Sequence, residues 1–359
     1  MTRISSLQLV PGMVLAKDAY DANNKLILPK GTVLSDVSII KLDLYNIHFV
    51  YIEDASYEST LSARPHYPHS YNDRIRNSAE FQEFKKNYNI EVESLKASLN
   101  NVITKNATLD VEELLNHSLK IASDVNGRIS LLDMLHNMRD YDDSTFSHCL
   151  NVSLICYIFA GWLKLSQQEI ELATACGLLH DVGKLLVSKD IIQKPGKLTE
   201  PEFTEMKKHP AAGYKLLVSQ HVDENIYSSA LMHHERCDGS GYPFGIGEAQ
   251  INKYAKIVAI ADVYDAMTSS RVYRDALCPF TVIEIFEEEG FRKYDVNYIL
   301  TFLENVVNSY IRNRCLLSDG REGEIIFINK SKLSRPIVQC GNDYVDLSQT
   351  PGLHIECLL

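Results

Sequence analysis

The chain has 359 residues, a length that predicts about two domains at roughly 150 residues each and allows a core without disulfide staples. Hydrophobic residues make up 45% and charged residues 23%, which excludes bulk disorder, collagen-like repeats and coiled-coil rods. The formal net charge of −11 excludes a general basic surface for long nucleic acid. An anionic ligand would therefore need a local cationic pocket.

The sequence predicts neither a signal peptide nor a membrane span. Residues 1–15 lack an apolar core of signal-peptide length, and the longest apolar run, 149–163, is interrupted by polar residues and a glycine. That run predicts a buried helix. The eight cysteines form no CxxC pair, so a reducing cytoplasm is the expected compartment.

Residues 1–54 predict a small β-rich N-terminal module. Apolar runs at 14–16, 26–28 and 49–52 alternate with turn signals, and Ser35 is placed to cap a short helix that ends near residue 46. Residues 55–78 carry scattered Ser, Tyr and Pro without a period, and they predict a linker.

Residues 79–130 predict a helical connector. One set of apolar residues recurs every three or four positions: Phe81, Phe84, Tyr88, Val92, Leu95, Leu99 and Val102. This stripe predicts a helix that packs on the chain's own core, with the seam of a homodimer as the alternative.

Helical pattern then dominates residues 131–315, the largest predicted domain. The C-terminal residues 316–359 predict a β-like extension, with strands at 323–328, 336–340 and 344–347. The predicted fold class is therefore mainly α, an all-helical central domain flanked by small β-rich elements at both ends.

Seven residues of the central domain suit metal ligation. They are His148, His180, Asp181, His209, His233, His234 and Asp262. Nitrogen and carboxylate ligands without thiolate favour iron, manganese or a catalytic zinc pair over a structural zinc. A carboxylate has two oxygens, so Asp181 could bridge two ions while His180 binds one. The alternatives are a structural His–Asp pair at 180–181, surface histidines before a turn at 233–234, and cap or helix-start roles for His148 and His209.

Cations near these residues suit a phosphate ligand. Gly183 is expected to let a helix stop, so that Lys184 turns back over the site. Arg271 and Arg274 are three residues apart, a spacing that places both on one face, where they could fork around phosphate oxygens. A solvated helix face is the alternative for this pair.

Three motifs, in this order, resemble those of the HD-GYP family of the HD phosphohydrolase superfamily. They are HDVGK at 180–184, HHERCDGSGYP at 233–243 and IADVYDAMTSSRVYR at 260–274, supported by FSHCLNVS around His148 and KKHPAAGY around His209. The resemblance covers residues of about 130–315. It implies an all-helical HD-type phosphohydrolase domain that opens cyclic di-GMP to linear pGpG, with GMP as a further product.

The resemblance also implies a binuclear site with two divalent ions, iron or manganese, with zinc as the alternative. One ion would be held by His148, His180, Asp181 and Asp262. The other would share Asp181 and take His209, His233 and His234. Lys184 would face the substrate phosphate or a bridging hydroxide, and Arg271 and Arg274 would hold phosphate oxygens. The mechanistic hypothesis is in-line attack on phosphorus by that hydroxide.

The loop that names the family is formed here by Gly241, Tyr242 and Pro243. The resemblance implies that it lines the site or contacts GGDEF-type diguanylate cyclase domains. Three nearby acids are expected to orient the imidazoles: Glu235, Asp238 and Asp265, the last with Arg271 as an alternative partner.

A third metal is held in some family members by a glutamate four residues before the first histidine. That position is Ser144 here, so two metals are expected, with Asp142 or Asp143 as substitutes for the glutamate. Because every matched ligand of the two-metal site is present, an active enzyme is favoured. The rival hypotheses are a non-catalytic cyclic-dinucleotide receptor and a phosphodiesterase for another cyclic dinucleotide, such as cyclic GMP-AMP.

Overall fold

A computed structural model describes most of the chain. The described residues are 2–5, 9, 11–21, 25–45, 47, 49–53, 75–125, 130–138, 145–192, 194, 199–268 and 277–359. Most of the predicted linker, the positions 142–144 considered for a third metal, and both Arg271 and Arg274 lie outside these residues.

The N-terminal module pairs four short strands around one helix. Its elements are β1 (Thr2–Ser5), β2 (Ala19–Tyr20), β3 (Leu26–Leu28), α1 (Asp36–Leu44) and β4 (Phe49–Ile52). Strand β1 pairs antiparallel with β4, and β2 pairs with β3. The backbone N–H of Ser38 donates to Ser35 Oγ at 3.2 Å, so Ser35 caps α1 as predicted. The predicted run 14–16 contributes only isolated bridges, from Val14 and Leu15.

The helical body follows. Its helices are α2 (Ala79–Lys105), α3 (Val111–Asp124), α4 (Leu131–Met138), α5 (Thr145–Trp162), α6 (Gln167–Leu179), α7 (Lys189–Ile192), α8 (Glu200–Met206), α9 (His209–Ser219), α10 (Glu224–Met232), α11 (Lys253–Thr268), α12 (Pro279–Lys293) and α13 (Val296–Ser309). Two 3₁₀ turns, η1 (Val182–Leu186) and η2 (Glu248–Gln250), complete it. The predicted mainly α fold class is confirmed.

The apolar stripe of α2 is buried within the chain. All seven of its members belong to one continuous core that also takes in residues of α5, α6, α11 and α13. The interpretation of this stripe as a packing face on the chain's own core therefore agrees with the structure. The same core takes in parts of α5, α6 and α11, three of the helices that carry candidate ligands.

Helix α5 is long and apolar enough to span a membrane by composition, and no other described helix is. A core helix passes the same test, and 61% of this helix is buried inside the protein. Its burial against α6 and α11 agrees with the predicted core role.

The C-terminal extension is a five-stranded antiparallel sheet, where the sequence predicted three strands. The strands are β5 (Arg314–Leu317), β6 (Glu322–Phe327), β7 (Ile337–Cys340), β8 (Asp343–Asp346) and β9 (Ile355–Leu358), in the order β8-β7-β6-β5-β9. The prediction missed β5 because its apolar run directly follows the last helical pattern. It missed β9, a short strand whose side chains alternate only weakly in burial.

Candidate metal centre

The candidate ligands converge from five elements of the helical body. Two groups of donors are formed, and within each group the donor atoms lie within 4.8 Å of one another. The first group holds His148, His180 and Asp262. The second holds Asp181, His209, His233 and His234. The structure thus brings together all seven residues that the sequence analysis proposed, while their role as ligands stays a prediction.

Asp181 lies between the two groups, and its two oxygens face different histidines. Its Oδ1 lies 3.2 Å from His209 Nε2 and 3.6 Å from His233 Nε2. Its Oδ2 lies 3.4 Å from His180 Nε2 and 3.6 Å from His148 Nε2. A carboxylate with this arrangement is suited to bridging two cations.

Helix ends orient three of the imidazoles. His180 and His233 are the C-caps of α6 and α10, and His209 is the first residue of α9. In each, Nδ1 lies 2.7–2.9 Å from the backbone carbonyl oxygen of the residue three positions before. A carbonyl oxygen can only accept, so Nδ1 carries the proton and Nε2 of the neutral ring presents a lone pair.

These lone pairs point at other acceptors, which is the arrangement a bound cation requires. His209 Nε2 and His233 Nε2 lie 3.4 Å apart and both face Asp181 Oδ1. Burial lowers the pKa of His233 to about 4, so its ring is neutral near pH 7. Among the described residues, neither His180 Nε2 nor Asp181 Oδ1 has a hydrogen-bond partner, although both are buried. Buried acceptors without donors are costly, and a divalent ion removes that cost. The donor set therefore fits metal ions.

Lys184 is a basic side chain in contact with Asp181, the carboxylate that lies between the two groups of donors. Its Nζ contacts Asp181 Oδ2. Burial opposes charge on both groups, but Lys184 together with His180 and His209 outweighs it and holds the pKa of Asp181 well below its usual range. The carboxylates of Asp181 and Asp262 in turn outweigh burial and raise the pKa of Lys184. Lys184 is therefore a cation at this site near neutral pH.

His148 is oriented by a carboxylate instead of a carbonyl. Its Nδ1 donates to Asp265 Oδ2 at 2.8 Å, which turns Nε2 toward Asp262 Oδ1 at 3.1 Å. Asp262 and Asp265 are one helical turn apart on α11. The structure thus places Asp265 on an imidazole, where the sequence analysis expected it, and this contact fixes the ring tautomer.

We expect Asp265→Asn to weaken metal binding by about 10-fold while the fold is retained, since supporting partners of ligands contribute roughly 10–100-fold in affinity. The amide oxygen still accepts from His148 Nδ1 but no longer carries the charge that strengthens the ring as a donor. Equilibrium dialysis against manganese measures this. Asp110→Asn, which keeps a good N-cap on α3, is the control, and equal affinity in both variants would contradict the orienting role.

Two glycines let η1 touch the start of α9. A Cβ on Gly183 would lie 2.0 Å from the carbonyl oxygen of His209 and 2.6 Å from the backbone nitrogen of Gly213. Gly183 was expected to end a helix. Its structural role differs, because it lies inside η1 and allows this close approach, which holds His209 beside Asp181.

The loop after the paired histidines is clamped by Glu235. Its buried carboxylate accepts the backbone N–H of Phe244 at 2.7 Å and of Ile246 at 3.2 Å. A Cβ on Gly241 would lie 2.4 Å from Glu235 Cα, so the loop passes closely over this residue. The ring of Tyr242 stacks on His234 with centroids 4.5 Å apart. Glu235 therefore supports the loop, whereas the sequence analysis expected it to orient an imidazole.

We expect Glu235→Gln to loosen this loop by about 1–3 kcal/mol, since a single amide oxygen replaces two charged acceptors and leaves a buried N–H poorly satisfied. Faster amide hydrogen exchange at residues 244–247 would report the change. Glu248→Gln is the matched control, because that exposed glutamate follows the same loop and pairs with Lys256. Unchanged exchange at 244–247 in Glu235→Gln would show that the clamp is not needed.

The remaining predicted residues lie either in the loop or outside the described residues. The Asp238 carboxylate accepts from the backbone N–H and hydroxyl of Ser240. Asp238 therefore stabilises the loop, whereas it was expected to orient an imidazole. Pro243 lies exposed at the loop tip. The phosphate-binding role of Arg271 and Arg274 stays a prediction because both lie outside the described residues.

Sequence reasoning missed Arg236. This buried side chain donates from Nη1 to the carbonyl oxygens of His233 at 3.1 Å and Glu235 at 2.9 Å. A signal was available, because a basic residue just beyond a helix often bonds the last carbonyls of that helix. Arg236 therefore braces the turn that carries both paired histidines.

Comparison with known proteins identifies the class of domain that carries this site. Residues 132–297 match the family model described as HD domain. The chain therefore contains an HD domain, and the resemblance that its motifs predicted is confirmed. Bd1817, an HDG"Y"P protein from Bdellovibrio bacteriovorus, has a similar solved structure with a TM-score of 0.50, covering 85% of this chain and 99% of that one. At 17% identity this likeness shows the fold alone.

Three curated relatives are similar to part of this chain. The cyclic di-GMP phosphodiesterase PA4108 of Pseudomonas aeruginosa is 40% identical over 141 residues, 39% of this chain and 34% of the relative. The cyclic di-GMP phosphodiesterase response regulator RpfG of Xanthomonas campestris is 42% identical, over 38% of this chain and 36% of RpfG. The 3'3'-cGAMP-specific phosphodiesterase 1 of Vibrio cholerae is 33% identical, over 50% of this chain and 39% of the relative. The chain thus spans little more than a third of the length of these relatives.

Proposed function

We propose that this chain is a metal-dependent phosphodiesterase that hydrolyses cyclic di-GMP. The observation that carries the proposal is the pair of donor groups that meet at Asp181, whose two oxygens face the Nε2 atoms of different histidines. The names of two relatives support cyclic di-GMP as substrate. A third relative is named as specific for 3'3'-cGAMP, so cyclic GMP-AMP is the second candidate substrate.

The ligands are proposed to hold two divalent ions, iron or manganese. His148, His180 and Asp262 would hold one and His209, His233 and His234 the other, with Asp181 shared. When bound, such ions supply a hydroxide nucleophile at neutral pH and offset phosphoryl charge. This chain's own residues do the rest. Backbone carbonyls hold three of the imidazoles through Nδ1, and the Lys184 ammonium would add a fixed positive charge beside the reacting phosphate.

A local cationic site would allow this negatively charged protein to bind an anionic substrate. The cyclic dinucleotide carries two phosphodiester charges, while the chain carries a net charge of −11. Two bound ions and Lys184 would reverse the potential at the mouth of the site, and we propose that Arg271 and Arg274 hold phosphate oxygens there. Linear pGpG is the proposed first product, since one in-line displacement opens the ring once, and GMP would follow a second displacement.

The surroundings of the site extend the proposal. The exposed loop tip at Pro243 and Phe244 is a candidate contact for a GGDEF-type diguanylate cyclase domain, and a second copy of the chain is a candidate partner. All eight cysteines are free, and each has a raised thiol pKa caused chiefly by burial, including Cys149, Cys156 and Cys176 in the core. This supports a reducing compartment, which we propose is the cytoplasm.

Product analysis tests the function directly. The chain is loaded anaerobically with iron or manganese and incubated with cyclic di-GMP, cyclic GMP-AMP and cyclic di-AMP, and the products are separated by chromatography. We expect pGpG from cyclic di-GMP, with His209→Ala inactive. Binding of cyclic di-GMP without turnover under both metals would select the receptor hypothesis, and preferential turnover of cyclic GMP-AMP would select the second substrate.

A further inference from the structure

A tyrosine of the N-terminal module covers a buried lysine at the end of α12. The Nζ atom of Lys293 lies 3.5 Å from the centroid of the Tyr45 ring, and Lys293 is only 3% exposed. A desolvated ammonium over an aromatic face is attracted to it. Burial, reinforced by the nearby charge of Arg236, lowers the pKa of Lys293 to about 7. The module therefore supplies part of the environment that makes this buried cation tolerable.

Charged contacts fasten α1 to the same turn of α12. The Tyr45 hydroxyl donates to Glu289 Oε2, and Lys41 Nζ lies 2.9 Å from Glu289 Oε1. Glu289 and Lys293 are four residues apart, so they share one face of α12. Glu289 is 11% exposed at its side chain, which limits solvent screening of its contacts. The docking of α1 thus converges on the last turn of α12.

That last turn is tied in turn to the segment that carries the paired histidines. The backbone N–H of Cys237 donates to the carbonyl oxygen of Lys293 at 2.9 Å. Arg236, directly before Cys237, holds the carbonyl of His233 through Nη1 and lies 5.2 Å from the Tyr294 ring centroid. Arg236 and Lys293 are thus two buried basic side chains where the end of α12 meets the turn after α10. Their charges repel each other.

We infer that the N-terminal module positions the turn bearing His233 and His234 through a relay of Tyr45, Lys293 and Arg236. Arg236 is a positioning residue in this relay, because it contacts the backbone of a candidate ligand and not the reacting atoms. When Tyr45 is removed, Lys293 loses its cover and turns toward water. The end of α12 then loosens its hold on Cys237 and Arg236. The inference rests on the proposed function only in taking His233 and His234 as metal ligands.

The test is made in the full chain and compares two tyrosines of the module, each of which has a lysine over its ring. Tyr45→Ala removes the ring under Lys293, and Tyr51→Ala, the matched control, removes the ring that lies 4.1 Å from Lys17 Nζ within the module. The readouts are amide hydrogen exchange at residues 233–247 in the metal-free chain and manganese affinity by equilibrium dialysis. We expect Tyr45→Ala to speed exchange at least 5-fold and to weaken manganese binding at least 5-fold. Tyr51→Ala should change neither. Tyr45→Phe should affect both readouts less than Tyr45→Ala does, because its ring still covers Lys293 although the hydroxyl contact with Glu289 is lost.

Two outcomes would overturn the inference. One is unchanged exchange at 233–247 and unchanged manganese affinity in Tyr45→Ala. The other is an equal effect of Tyr51→Ala, which would show a general loosening of the module. Lys41→Ala provides a second variant that loses partly exposed contacts with Glu289 and Glu288, and it should shift both readouts in the same direction by a smaller factor. Because exchange is measured without metal or substrate, its result is independent of whether the chain hydrolyses cyclic dinucleotides.

Discussion

Asp181→Asn is expected to abolish both metal-dependent stabilisation and hydrolysis. The change is isosteric, but an amide cannot offer an anionic oxygen to each of the two donor groups that Asp181 faces. We expect a loss of activity of at least about 1,000-fold, since the metal contribution to phosphoryl transfer is several kcal/mol and each 1.36 kcal/mol is about tenfold in rate. Initial rates with manganese-loaded protein measure it.

Thermal unfolding with and without manganese separates this effect from misfolding. In the unsubstituted chain, manganese at about 100 times its dissociation constant should add about 2.7 kcal/mol to the free energy of unfolding. Asp181→Asn should show no such gain while its metal-free unfolding stays cooperative. Asp110→Asn, at the exposed N-cap of α3, should behave like the unsubstituted chain. Full stabilisation of Asp181→Asn by manganese would contradict the bridging role.

Gly183→Ala is expected to destabilise the chain and to weaken metal binding together. The added Cβ would lie 2.0 Å from the carbonyl oxygen of His209, a backbone atom that can move only if the start of α9 moves. Overpacking of this kind costs roughly 1–3 kcal/mol or more. The shift would also draw His209 Nε2 away from Asp181, so manganese affinity should fall at least about 10-fold.

Gly161→Ala is the matched control for that substitution. Gly161 lies in α5, and a Cβ there would meet no atom within 4 Å. Alanine at this helical position should be neutral or stabilise the chain by about 0.4–1 kcal/mol through the unfolded state. Calorimetry and manganese titration of both variants give the comparison. Normal stability and affinity in Gly183→Ala would show that α9 and η1 do not need their close contact.

The candidate ligands could be predicted because residue type and local spacing already expose them. Adjacent His233 and His234 have little use in packing, and Asp262 closes an apolar run where an unpaired carboxylate would be costly. Their grouping around Asp181 was available only through the resemblance, since it depends on how α5, α6 and α11 pack. The positions of Arg271 and Arg274 lie outside the described residues.

Other features could not be predicted from local pattern because they depend on backbone approach or on contacts between distant segments. The sequence analysis took Gly183 as a helix stop, whereas the contact with His209 comes from tertiary packing. Glu235 follows two candidate ligands, which suggested an imidazole partner, yet its carboxylate turns to backbone amides nine and eleven residues later. The contact between Tyr45 and Lys293 joins positions 248 residues apart. Nothing in the local sequence around either residue predicts that the two side chains meet.

The most direct test of the account is the number of metal ions bound per chain. The purified chain is stripped of metal, saturated with manganese, dialysed to remove loosely bound ions, and measured by mass spectrometry against protein concentration. Two groups of donors among the described residues, with Asp181 in one group and its Oδ2 facing the other, predict two ions per chain. One ion per chain, or none, would contradict the binuclear centre on which the proposed hydrolysis depends.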